Sequence, residues 1–173
     1  MDNPQATLDF CRVLESAGAD AIAVHARTRN QRSETAADWA TVRHIKESLR
    51  VPLILNGDVF SYADFQRAID ETGVDSVMSA RGALANPSIF GETWEDPRTV
   101  VDRYCEICKL RQNNYQNTKY TVLRILGGVT RKDKTYKDLM TAITGCKTME
   151  EMEAVLKADR MAENRAPEKK RRL

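Results

Sequence analysis

No run in this sequence approaches the roughly 20 consecutive apolar residues that a membrane-spanning helix needs. The opening MDNPQATLDF has neither the basic start nor the apolar centre of a signal peptide. No membrane partner is expected, and the cytoplasm is the expected compartment. Histidine is scarce, with only His25 and His44, and the four cysteines stand apart at Cys11, Cys105, Cys108 and Cys146. No combination of them has zinc-ligand spacing, so the thiols are expected to be reduced and no metal site is expected. Cys105 and Cys108 do form a C-x-x-C, yet VVDRYCEICKLRQ has helical apolar spacing. The two thiols then share a helix face, which reads as core packing rather than redox or metal chemistry. With 173 residues, 42% of them hydrophobic, the chain suits neither a disordered nor a fibrous class and is long enough for one ordinary domain or two small ones.

What is present first is a repeat. ATLDFCRVLESAG places Leu8, Cys11, Val13, Leu14 and Ala17 near helical spacing before Gly18, and the short apolar run Ala21 to His25 follows. Such a run, apolar on both faces, predicts a buried parallel strand. DWATVRHIKESL repeats the helix after an Asp38 cap, with Trp39, Val42, Ile45 and Leu49 on one face, and Val51 to Asn56 gives the next strand. In a third round Tyr62, Phe65, Ala68 and Ile69 share a helix, Gly73 ends it, and Ser76 to Ala80 forms the third strand. Alternating helices and parallel strands with short links define an α/β architecture. Three strands do not close a barrel and leave edges to cover, which hints at an N-terminal part beyond this chain.

Polar groups gather where each strand gives way to a loop: His25, then Asn56-Gly57-Asp58, then Ala80-Arg81-Gly82. Asp20 and Asp75, just ahead of their strands, fit the opposite rim. In a (β/α)8 barrel the C-terminal strand ends form the active face, and the loops after the last strands commonly bind phosphate. Gly57 and Gly82 would let backbone approach an anion, Arg81 supplies a fixed two-pronged charge, and Ala83 to Ala85 is the expected start of a short helix whose amides complete the site. Each group also has a plain structural reading. Asn-Gly-Asp is a common turn sequence, Arg81 an ordinary ion-pair partner and His25 a hydrogen-bonded strand-end residue. His44, flanked by Arg43 and Ile45, is expected at the surface.

After Pro97 the strands cease. Val100, Val101, Tyr104, Ile107, Cys108 and Arg111 follow helical spacing, further helices are expected near 118–126 and 136–144, and Thr148 with Glu151 forms a capping box for a fourth. These helices predict a small all-α bundle. EKKRRL at the end reads as part of a disordered basic tail, with a nuclear-localisation patch as its alternative. Charge is uneven: residues 1–97 carry 9 basic and 15 acidic side chains, residues 98–147 carry 11 and 4, and residues 148–173 carry 7 and 6. The middle segment, at +7, is therefore the place to hold a polyanion. The expected division is 1–96 as a partial barrel, 97–160 as a basic helical domain and 161–173 as the tail.

AIAVHARTRNQR, VPLILNGDV and SVMSARGALANPSIF follow one another as they do in tRNA-dihydrouridine synthases. Asn117-Thr118-Lys119-Tyr120 resembles the eukaryotic tRNA-dihydrouridine(20) synthase branch, and the similarity covers about residues 6–126. The resemblance implies the C-terminal part of an FMN-binding (β/α)8 TIM barrel followed by a helical tRNA-binding domain. It implies that FMN is reduced by NADPH and reduces a uridine of the tRNA D-loop to 5,6-dihydrouridine, with a cysteine giving the proton. By the same resemblance His25 contacts FMN, Asn56, Gly57 and Asp58 form its binding loop, and Ala80 and Arg81 hold its phosphate. The family's catalytic cysteine, glutamine and lysine belong to the N-terminal half of the barrel, so no catalytic residue is expected in this chain and Cys11, on a helix, is no substitute. A truncated chain would need that other half as a partner and would expose apolar strand edges. The competing expectations are a catalytically inert RNA-binding module and a different flavin or phosphate-sugar barrel enzyme.

Overall fold

Capping residues set the limits of the helices in the computed structural model, which describes residues 3–128 and 135–165. In α1 (Pro4–Ser16) the Asn3 side chain accepts from the Ala6 amide, and in α2 (Trp39–Glu47) Asp38 accepts from Thr41. Ser61 and Asp64 close a reciprocal capping box on α3 (Tyr62–Thr72), which Gly73 ends at φ +71°. Between these helices lie β1 (Ile22–His25), β2 (Leu53–Asn56) and β3 (Ser76–Met78), all parallel in the order β1-β2-β3. The third strand is shorter than expected, because the chain turns into helix α4 (Arg81–Ala85) soon after Met78.

The register pairs His25 with Asn56 and Asn56 with Met78, so the C-terminal strand ends lie level. One face of the sheet is packed: Ile22, Val24, Leu53 and Leu55 sit with Leu8 and Cys11 of α1, Val42 and Ile45 of α2, and Ala68 of α3. Full burial of a side chain such as Leu53 or Leu55 contributes roughly 1.5–3 kcal/mol. The expectation that the strands would be buried on both faces is not met among the described residues. Ala23, His25, Ser76 and Met78 on the other face are exposed, because the crossover helices cover one side only.

The chain divides into two compact units, Met1–Ala83 with Ile89–Thr93 and Leu84–Ser88 with Trp94–Leu173. Among its described residues the second has its own core and four longer helices: α5 (Pro97–Leu110), α6 (Tyr115–Gly127), α7 (Lys137–Gly145) and α8 (Met149–Arg165). Asp96 caps α5 ahead of Pro97, and Gly128, at φ +65°, ends α6. Helix α6 begins earlier than expected because Asn114 accepts from the Gln116 and Asn117 amides. The capping box of α8 is offset: Thr148 Oγ1 accepts from the Glu151 amide, but Glu151 answers the Lys147 amide. Residues 161–165, expected in the tail, continue α8, whereas EKKRRL lies outside the described residues.

Candidate functional site

The strand register brings the polar strand ends together. His25, Asn56, Gly57, Asp58, Ala80 and Arg81, with Val59, Phe60 and Met78, line one cavity of about 300 Å³ at the C-terminal rim of the sheet. Gly57 has φ +133° and Asp58 φ +57°, so the chain turns sharply directly after β2. A Cβ at Gly57 would lie 3.2 Å from the Ala37 Cβ, and Asp58 occupies the left-handed region that Asp tolerates better than most residues.

The Asp58 carboxylate is the hub of the loops. Oδ1 receives the Arg27 guanidinium, Oδ2 accepts the Ala37 amide at 2.7 Å, and Arg81 Nη2 approaches Oδ1 at 3.4 Å. Arg27 Nε also donates to the Thr35 carbonyl at 2.6 Å within the loop after β1, and the Arg27–Asp58 pair ties that loop to the turn after β2. Burial raises the Asp58 pKa, but the hydrogen bonds from Arg27 and Ala37 and the charges of Arg27 and Arg81 outweigh it, so the group sits below the usual carboxylate range. Two guanidiniums and one carboxylate leave one positive charge at this rim.

Arg81 is the outer cation. Its guanidinium lies 5.1 Å from the centre of the Phe60 ring. Phe60 holds it from one side without consuming its hydrogen-bond donors. His25 Nδ1 accepts the Arg27 amide at 3.1 Å, which leaves Nε2 as the donor that the neutral ring can offer. A cation with free donors, a ring N–H and a glycine turn suit the phosphate end of a ligand.

The short helix differs from expectation. It starts at Arg81 rather than Ala83, and the Ala83 amide is occupied by Ser79 Oγ, which in turn donates to the Val59 carbonyl. The Ala83 amide is therefore not available to an anion, whereas the Arg81 side chain lines the cavity. Gly82 is required for packing, since a Cβ there would lie 2.7 Å from the Val59 carbonyl oxygen.

Sequence patterning did not assign Arg27, Ser79 or the Trp39 indole, whose Nε1 donates to the Gly57 carbonyl. Only the position of Arg27 two residues after His25 marked it. His44 is exposed on α2, as expected. All four thiols are buried and unpaired, and none lines this cavity. Burial, with smaller effects from Cys108 and nearby carboxylates, pushes the Cys105 thiol up to about 12, and both thiols of the C-x-x-C are buried. No metal-holding cluster and no helix long and apolar enough to cross a membrane occur among the described residues.

Comparison with known proteins gives the ancestry. The dihydrouridine synthase (Dus) family model matches residues 1–171. The chain is 37% identical over 102 residues to the tRNA-dihydrouridine(20a/20b) synthase [NAD(P)+] of Saccharomyces cerevisiae, covering 57% of this chain and 28% of that protein. It is 36% identical over 111 residues to the tRNA-dihydrouridine(16/17) synthase [NAD(P)(+)] of Schizosaccharomyces pombe, covering 62% of this chain and 28% of that one. To tRNA-dihydrouridine synthase B of Xanthomonas campestris it is 43% identical over 83 residues, covering 48% and 25%. The match thus spans only about a quarter of the length of these relatives. The family model's range includes all the strand-end residues described above, and the chain belongs to the dihydrouridine synthase family.

Proposed function

We propose that this chain supplies the phosphate-binding end of an FMN site and a tRNA-binding helical part to an enzyme that reduces tRNA uridine to dihydrouridine. The observation that carries the reading is the convergence of His25, Asn56-Gly57-Asp58 and Ala80-Arg81 on one cavity, where Arg27 behind the lining offsets the charge of Asp58. FMN, when bound, supplies hydride transfer from NADPH to the uracil ring. Within this chain, Arg81 binds the phosphate, His25 Nε2 donates a hydrogen bond, and the Gly57 turn lets the ligand approach the backbone. No thiol of this chain lines the cavity, so none of the four is assigned as the proton donor. The eukaryotic branch acting on position 20 is the proposed specificity, and the cytoplasm the proposed compartment, in keeping with four unpaired thiols.

The test is retention. The purified chain is loaded with FMN, passed over a desalting column and examined for bound flavin, beside Arg81→Ala. Flavin retained by the wild type and lost in the variant supports the site, and a colourless wild type sinks it. A second reading, an RNA-binding module without catalysis, is favoured by the burial of all four thiols away from the cavity. Salt-sensitive tRNA binding by a chain that retains no flavin would select it.

A further inference from the structure

Arg27 and Arg81 share one carboxylate on unequal terms. The Arg27 side chain is 5% exposed and bonded to Asp58 Oδ1, while Arg81 is 38% exposed and reaches that oxygen only at 3.4 Å. The other oxygen already accepts the Ala37 amide. An ion pair removed from water is stronger than an exposed one, so the charge of Asp58 is taken up by Arg27.

We propose that Arg27 is a positioning residue that sets the charge of the cavity: by occupying Asp58 it leaves Arg81 as an uncompensated cation for the phosphate of FMN. Arg27 does not line that cavity and has no part in touching the ligand. Without it, Asp58 turns its full charge on Arg81, the rim falls from one positive charge to none, and Arg81 is drawn away from the ligand. This rests on the reading that the cavity takes a flavin phosphate, and it adds the residue that keeps Arg81 available.

FMN and riboflavin differ by the phosphate alone, so the ratio of their dissociation constants isolates this effect. Both are measured by flavin fluorescence on the full 173-residue chain. The wild type is expected to prefer FMN about tenfold or more, close to 1.4 kcal/mol. Arg27→Met should bring the ratio near one with riboflavin affinity unchanged, Arg27→Lys should keep it, and Arg27→Met with Asp58→Asn should restore it by restoring the charge. A structural strut behaves differently: Arg27→Met would weaken both flavins alike and the double variant would not recover, which overturns the proposal. Equal preference in wild type and Arg27→Met also overturns it, with the flavin site left standing. A wild type that does not separate the two flavins removes the flavin-phosphate reading, and the proposal falls with it.

Discussion

The Trp39 indole Nε1 donates to the Gly57 carbonyl at 3.0 Å, joining the first turn of α2 to the turn that precedes Asp58. Gly57 is buried and its φ of +133° suits glycine, so its carbonyl has a fixed direction and depends on that donor. Trp39→Phe keeps most of the apolar surface and removes the bond. The expected loss is about 1–2 kcal/mol in urea unfolding followed by far-UV circular dichroism. Trp94→Phe, at a side chain 61% exposed, is the matched control, expected within about 0.5 kcal/mol of the wild type. Equal midpoints for Trp39→Phe and the control would show that the Gly57 turn stands without the indole.

Local signals were legible because their causes lie within a few residues. Asp38 caps α2 three residues before Thr41, Gly73 takes the left-handed angle at the end of α3, and Pro97 opens α5. The strand-end groups were legible as a set, since parallel strands of one sheet bring their C-terminal ends to one rim. Arg27 was not, because its partner Asp58 is 31 positions away and only the fold pairs them. The one-sided burial of the strands was hidden for a different reason: Ala23 and Ile54 on the less covered face are themselves apolar, so these strands read as the continuous runs expected of two covered faces.

Asp38 makes a prediction about acid. Hydrogen bonds from the Thr41 hydroxyl and then the Thr41 amide lower its pKa to about 2. An unfolded Asp titrates near about 3.9, so the folded value is depressed. The stability it confers is therefore complete above about pH 4 and is lost as pH falls towards about 2. Asp38→Ala should cost about 1 kcal/mol at neutral pH, and Asp38→Asn less, because the amide oxygen still caps the helix. Urea midpoints measured against pH should show wild type and Asp38→Asn converging through that acid window. A gap that stays constant with pH would mean that the carboxylate charge is not coupled to folding.

The +7 of residues 98–147 is partly spent inside the helical unit. Arg98 pairs with Asp159 and Glu163, Arg103 with Glu95, and Lys109 with Glu153, while Lys119 Nζ donates to the Thr144 and Cys146 carbonyls. The acidic side chains of α8 thus fold back on α5, and a charge excess that is separate in sequence is not separate in space. Arg124 differs, with no acidic partner among the described residues and its guanidinium 5.7 Å from the Tyr120 ring centre. If tRNA binds here through phosphate contacts, Arg124→Ala should lower the slope of log K against log salt by about 0.7–0.9, the value for one lost contact. Arg98→Ala should leave that slope unchanged and instead destabilise the helical unit by about 1.5–3 kcal/mol, as loss of charged hydrogen bonds does. Binding titrations at several salt concentrations, set beside urea unfolding of the same two variants, separate the roles. A slope lowered by Arg98→Ala at unchanged stability would instead make the α5–α8 ion pair a surface that opens to the nucleic acid.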